Sequence, residues 1–128
     1  MTAWRAMEIR RRRRQTSIDN TGVETMLSGN ITEDGVLVVA QWEAKEGQSD
    51  KVAEILKRFL PRAKAEHGVK LFLIGRGREN TAQFLFYELF ADEAAYAAHQ
   101  MSEHFRTLIA DEALPLLAKR ERTHYVLI

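Results

Sequence analysis

The chain has 128 residues, 45% of them hydrophobic and 29% charged, a composition that suits one globular domain and excludes a wholly disordered chain. Nineteen Lys plus Arg against eighteen Asp plus Glu leave a formal charge of +1, so no global field points to nucleic acid or an anionic membrane as partner. Cysteine is absent, which excludes disulfide scaffolds, thiolate zinc sites, iron–sulfur clusters and a thiol nucleophile.

The N-terminal residues differ from the rest. Residues 1–30 hold six arginines against Glu8, Asp19 and Glu24, a balance of +3, and residues 31–128 carry thirteen cations against fifteen acids, a balance of −2. This stretch lacks apolar periodicity and is rich in Thr, Ser, Asn and Gly, so residues 1–34 are expected to form a flexible basic extension. A basic nucleic-acid arm, and an upstream extension of a domain that starts near Met26, stay open as other readings. The arginines 10–14 are followed by Gln15-Thr16-Ser17-Ile18-Asp19-Asn20, where an export signal would need a hydrophobic stretch. A cytoplasmic location is expected. No apolar run approaches the roughly 18 residues that span a bilayer, the longest clean one being residues 36–40.

Residues 35–44 alternate, are β-branched at Val36, Val38 and Val39 and end near Trp42, which predicts a largely buried first strand. A helix follows Gly47, with Ser49 as its N-cap, Asp50 in its first turn and an apolar stripe at Val52, Ile55, Leu56, Phe59, Leu60 and Ala63. Pro61 is expected to kink or end it near Leu60, and Gly68 to stop it. Residues 69–75 and 82–90 read as two strands of a hairpin joined by the polar, Gly-containing residues 76–81. Asp92 caps a second helix through Ala94, Ala95, Ala98 and His99, and Ser102 a third, with His104, Phe105, Leu108 and Ile109. Residues 120–128 are β-prone and close the chain as a strand.

The order β-α-β-β-α-β is the split βαβ arrangement of α+β ferredoxin-like folds, a four-stranded antiparallel sheet with helices on one face. Apolar residues occupy both parities of the first and third strands. A homodimer that buries the open sheet faces is therefore expected.

Residues 87–105, from Tyr87-Glu88 through Asp92-Glu93-Ala94-Ala95 and His99 to Ser102-Glu103-His104-Phe105, resemble the signature of the antibiotic biosynthesis monooxygenase (ABM) domain family. Lys45-Glu46-Gly47 after the first strand and Glu66-His67-Gly68 before the second support the likeness, which covers roughly residues 36–128. The resemblance implies an ABM-like dimeric α/β barrel domain over residues 35–128: two ferredoxin-like protomers joined sheet to sheet, each with a pocket between sheet and helices. Many members of the family oxidise phenols, quinols or anthrone-like polyketides with molecular oxygen and without metal or flavin. No cofactor is thus expected, and the partners expected are a small aromatic substrate, oxygen and a second copy of the chain, with no nucleic acid and no membrane. Other members are isomerases or have no known reaction. Haem-degrading members use an Asn on the first strand, where this chain has Gln41 and Trp42, and a His beyond the final aromatic, where none occurs before His124.

Among individual residues, His99 lies at the border of the second helix's buried side, where Ala95 and Ala98 are expected to face the core. It is the candidate general base, with a histidine that caps the sheet as the structural alternative. Glu88 is the charge inside an otherwise apolar strand and needs a partner or water. Pairing with His99 would orient the imidazole; a structural ion pair or a dimer contact fits equally. Trp42, Phe72, Phe84, Phe86, His104 and Phe105 are candidate substrate-binding residues, although an aromatic stripe in a small domain also serves as plain core. His67 and His124 have no partners at metal-ligand spacing, so no metal site is expected. A cofactor-free monooxygenase would need a base to make a phenolate or carbanion that passes an electron to oxygen, and an isomerase would use the same base to move a proton beside a carbonyl. A ligand-binding dimer would need neither.

Overall fold

The computed structural model describes residues 31–128; the basic extension lies, up to residue 30, outside the described residues. β1 (Val36–Ala44), α1 (Ser49–Lys64), β2 (Val69–Arg76), β3 (Gln83–Phe90), α2 (Glu93–Gln100), a π-helical α3 (Phe105–Ala113), a 3₁₀ turn (Leu114–Leu116) and β4 (Leu117–Val126) follow in order. The strands form one sheet in the order β2-β3-β1-β4, with every neighbouring pair antiparallel. This is the split βαβ arrangement of a ferredoxin-like α+β fold. No helix among the described residues is long and apolar enough to cross a membrane.

Period-two alternation decides which side chains meet the helices. Val36, Val38, Ala40, Trp42 and Ala44 of β1 are buried. The register sets Val38 beside Glu88 of β3 and His124 of β4, Ala40 beside Phe86 and Arg122, and Trp42 beside Phe84 and Arg120. Onto this face α1 lays Val52, Ile55, Leu56, Phe59 and Ala63. The four larger side chains each contribute roughly 1.5–3 kcal/mol by leaving water. Among the described residues the other face is apolar and uncovered: Leu73, Leu85, Tyr87 and Tyr125 keep 48%, 44%, 40% and 48% of their surface exposed.

Local expectations fail where packing outweighs a single-residue signal. Gln48, without a side-chain cap, precedes α1, and Ser49 is already helical. The helix runs unbroken past Pro61 to Lys64. Proline removes one backbone donor there, but its ring lies on the exposed side while Phe59 and Ala63 stay buried on either side of it. In α2 the buried positions are Tyr96 and His99, whereas Ala98 is exposed and Ala95 half-buried. The third helix is π-wound; it buries Leu108, Ile109 and Ala113, while Glu112 stays outside and pairs with Arg58 at 2.9 Å. Asp92 caps α2 as expected, accepting from the Ala95 N–H at 2.9 Å; the N-cap position of α3 is His104, without a side-chain cap, and Ser102 Oγ accepts from the Phe105 N–H at 3.2 Å from the turn before it.

Candidate active site

The site is assembled from three chain segments that meet at one end of α1. Glu66 sits in the turn after α1, where its N–H donates to Ala63 and its carbonyl accepts from Val69. The next-but-one residue, Gly68, accepts a 2.8 Å hydrogen bond from the Ala91 N–H through its carbonyl, and a Cβ added to it would collide with Ala95 of α2. That close approach brings the Glu66 turn against the helix that carries His99. Ser102 then donates through Oγ to the His99 carbonyl at 2.7 Å and starts the segment that carries His104.

Glu66 Oε2 is the meeting point. His99 Nδ1 lies 2.8 Å from it and His104 Nε2 2.5 Å. A carboxylate only accepts, so each imidazole carries a proton on the nitrogen that faces Glu66. His99 is 2% exposed, and the rings of Phe59, Phe72, Phe90 and Phe105 surround it with centroids 5.2–5.9 Å away. Burial is the largest single influence on Glu66 and raises its pKa, but the hydrogen bonds and charge of His99 and His104 together bring the carboxyl below its ordinary range.

His99 and Glu88 line a small cavity of about 30 Å³, with Trp42, Phe86 and Phe105 on its walls and Arg120 and Arg122 also at its border. That volume suits one or two waters. Glu88 makes no side-chain hydrogen bond among the described residues, and burial pushes its pKa up to about 8, with Arg122 and Arg120 opposing the shift and Glu66 adding to it. The expected Glu88–His99 bond is not formed: His99 turns its Nδ1 to Glu66, and Glu88 stands apart as a protonated acid at neutral pH.

The remaining candidates separate. Phe72 is buried against His99 with ring centroids 5.4 Å apart. Phe84 borders a different, larger depression of about 560 Å³ beside the β2–β3 hairpin, which has no histidine in its lining. His104 contacts Glu66 and does not line the small cavity. His124 Nε2 lies 2.9 Å from the Tyr96 hydroxyl. The sequence reading missed Glu66, Tyr96, Arg120 and Arg122 as site residues. Glu66 stood in the quoted Glu66-His67-Gly68 turn, and Arg120 and Arg122 share the inward parity of β4, a signal that needs the strand register to be read. His67 and His124 lack metal-ligand spacing and take no part, but Glu66, His99 and His104 do converge, with all ligand atoms within 4.8 Å of one another.

The family model described as antibiotic biosynthesis monooxygenase matches residues 35–111. A solved structure from Nitrosomonas europaea, assigned provisionally as an antibiotic biosynthesis monooxygenase, is 18% identical with a TM-score of 0.70, covering 78% of this chain and 96% of its own. A protein from Shewanella oneidensis is 20% identical with a TM-score of 0.69 over 77% of this chain and 95% of its own. A Pseudomonas aeruginosa protein is 24% identical with a TM-score of 0.67 over 78% and 99%. These structural likenesses carry the fold, and no curated protein matches the chain. The match spans more than half of the sequence and includes Glu66, Glu88, His99 and His104, so the chain belongs to the antibiotic biosynthesis monooxygenase family.

Proposed function

We propose that the protein is a monooxygenase that oxidises a small phenolic, quinol or polyketide-like aromatic with molecular oxygen and without a resident metal or flavin. The observation that carries this reading is the Glu66-anchored His99 on the wall of a cavity that also holds Glu88. With its Nδ1 proton held by Glu66, His99 presents Nε2 as the proton acceptor for the substrate. The resulting anion is stabilised by hydrogen bonds and charge from Glu88, protonated at neutral pH, and from the Arg120 and Arg122 guanidinium groups. Electron transfer to oxygen and radical recombination would then convert a ring CH₂ and O₂ into C=O and water. The 30 Å³ cavity must widen to admit a ring, with Phe105 and the two arginines moving aside.

The test is oxygen uptake by metal-free, flavin-free protein with a hydroquinone or an anthrone. His99→Ala should lower the rate on the order of a hundredfold, within the usual range for general-base catalysis, with the fold intact by circular dichroism. No uptake across a broad panel would overturn the proposal. The pairing of a proton acceptor with a neutral acid across one cavity also favours an isomerase, which would show proton exchange into a ketone without oxygen uptake. Tight binding of an aromatic with neither activity would leave a ligand-binding dimer.

The same reading includes a homodimer joined through the open sheet face, a cytoplasmic location and a flexible basic N-terminal extension, residues 1–34, of which residues 1–25 are not needed for folding or dimerisation. Sedimentation at micromolar concentration should show the dimer, and a stable monomer would refute it. Removal of residues 1–25 should leave the melting temperature unchanged.

A further inference from the structure

We propose that Glu66, His99 and His104 form a binding site for a divalent transition-metal ion, zinc foremost. Two imidazole nitrogens and a carboxylate oxygen are a donor set that zinc accepts. Here they come from the turn after α1, from α2 and from the start of α3, and all three ligand atoms lie within 4.8 Å of one another. Ligand atoms held by one ion at about 2.1 Å sit roughly 3.0–3.4 Å apart. The present separations of 2.8 Å and 2.5 Å from Oε2 must therefore widen by less than about 1 Å, and the two imidazole nitrogens, within 4.8 Å of each other, must close to roughly 3.4 Å, which needs the glutamate on its turn and the partly exposed His104 to move together. Phe59 stands 5.9 Å from the His99 ring and 5.8 Å from the His104 ring, closing one side of the cluster, and the three-ligand set leaves a coordination position for water.

The ion would occupy Nδ1 of His99, the atom that now carries the proton. That proton then belongs on Nε2, which ceases to be an acceptor on the side of the reaction. Zinc binding is therefore inhibitory, a consequence that rests on the proposed role of His99 as base, whereas the site itself does not.

The experiment titrates the full-length, metal-free protein with zinc by calorimetry and with cobalt(II) by visible absorption. One ion per chain is expected, with the intense d–d bands of a low-coordinate cobalt site. His104→Ala and, as a second variant of similar size to the native residue, His104→Gln should weaken binding at least tenfold while circular dichroism stays native. Glu66→Gln should weaken it likewise. No saturable uptake, or uptake that these substitutions leave unchanged, overturns the proposal. Oxygen uptake in the same samples separates the two readings: metal binding with no activity in the metal-free form refutes the monooxygenase proposal alone, and activity without metal binding refutes this one alone.

Discussion

Two carboxylates under the same helices have opposite fates. Glu66, at the tail of α1, gathers His99 and His104 and is held below the ordinary carboxylate range; Glu88, in the middle of β3, is buried without such partners and is pushed up to about 8. Burial raises both. The difference is that a turn can place a side chain among donors from several segments, whereas a strand side chain is confined to its row of the sheet, here between Phe72 and Val38. Loss of water alone makes an acid; loss of water with two N–H donors makes an anchored anion.

Three substitutions bear on this contrast. The largest effect is expected from Glu66→Ala, which orphans two imidazole donors at about 1–3 kcal/mol each and should lower unfolding free energy in urea by roughly 2–4 kcal/mol. It should also cost most of the oxygen-uptake rate. An unchanged stability would mean that the Glu66 hub holds nothing together. Next comes Glu88→Gln, whose effect depends on pH. Between its unfolded value of 4.5 and its folded value of about 8, the native state binds more protons than the unfolded one, so wild-type stability falls as pH rises. The cost is absent below 4.5 and complete above about 8. At 1.36 kcal/mol per pH unit the shift corresponds to about 5 kcal/mol as an upper bound. The amide should therefore recover on the order of 2 kcal/mol at pH 8.5 and little at pH 4. Glu66 has the opposite signature, since its lowered pKa stabilises the fold above the ordinary value and loses that contribution as pH falls through the folded one. The window between 4.5 and 8 thus reports on Glu88, and the acid limb below it on Glu66. The smallest effect is that of Asp92→Ala, which removes the cap of α2 and should cost about 1 kcal/mol, read as a lowered denaturation midpoint.

The fold was largely legible because its signals are periodic. Alternation in β1 and the i, i+3, i+4 stripe of α1 survive any single misplaced cap, so Ser49 and Pro61 misled only about the details of one helix. The site was legible in part. His99 and Glu88 stand out in one continuous signature, and they do line the same cavity, but the bond between them could not be read from an eleven-residue separation. Glu66 lies thirty-three positions from His99, and no spacing rule joins a turn to a helix at that distance. Tyr96 was hidden because α2 is two turns long, too short for small alanines to define its buried side, and the π-winding of α3 leaves no mark in residue type.

The close approach of Gly68 to Ala95 makes the site brittle at a residue that takes no part in its chemistry. A methyl at position 68 must displace α2 or the turn before β2, and either movement pulls Glu66 and His99 out of register. At Gly75, by contrast, an added Cβ meets nothing within 4 Å. A variant library would therefore return inactive alleles at a bare backbone position, and a homologue with a side chain there should be expected to have rebuilt the Glu66 anchor in another way.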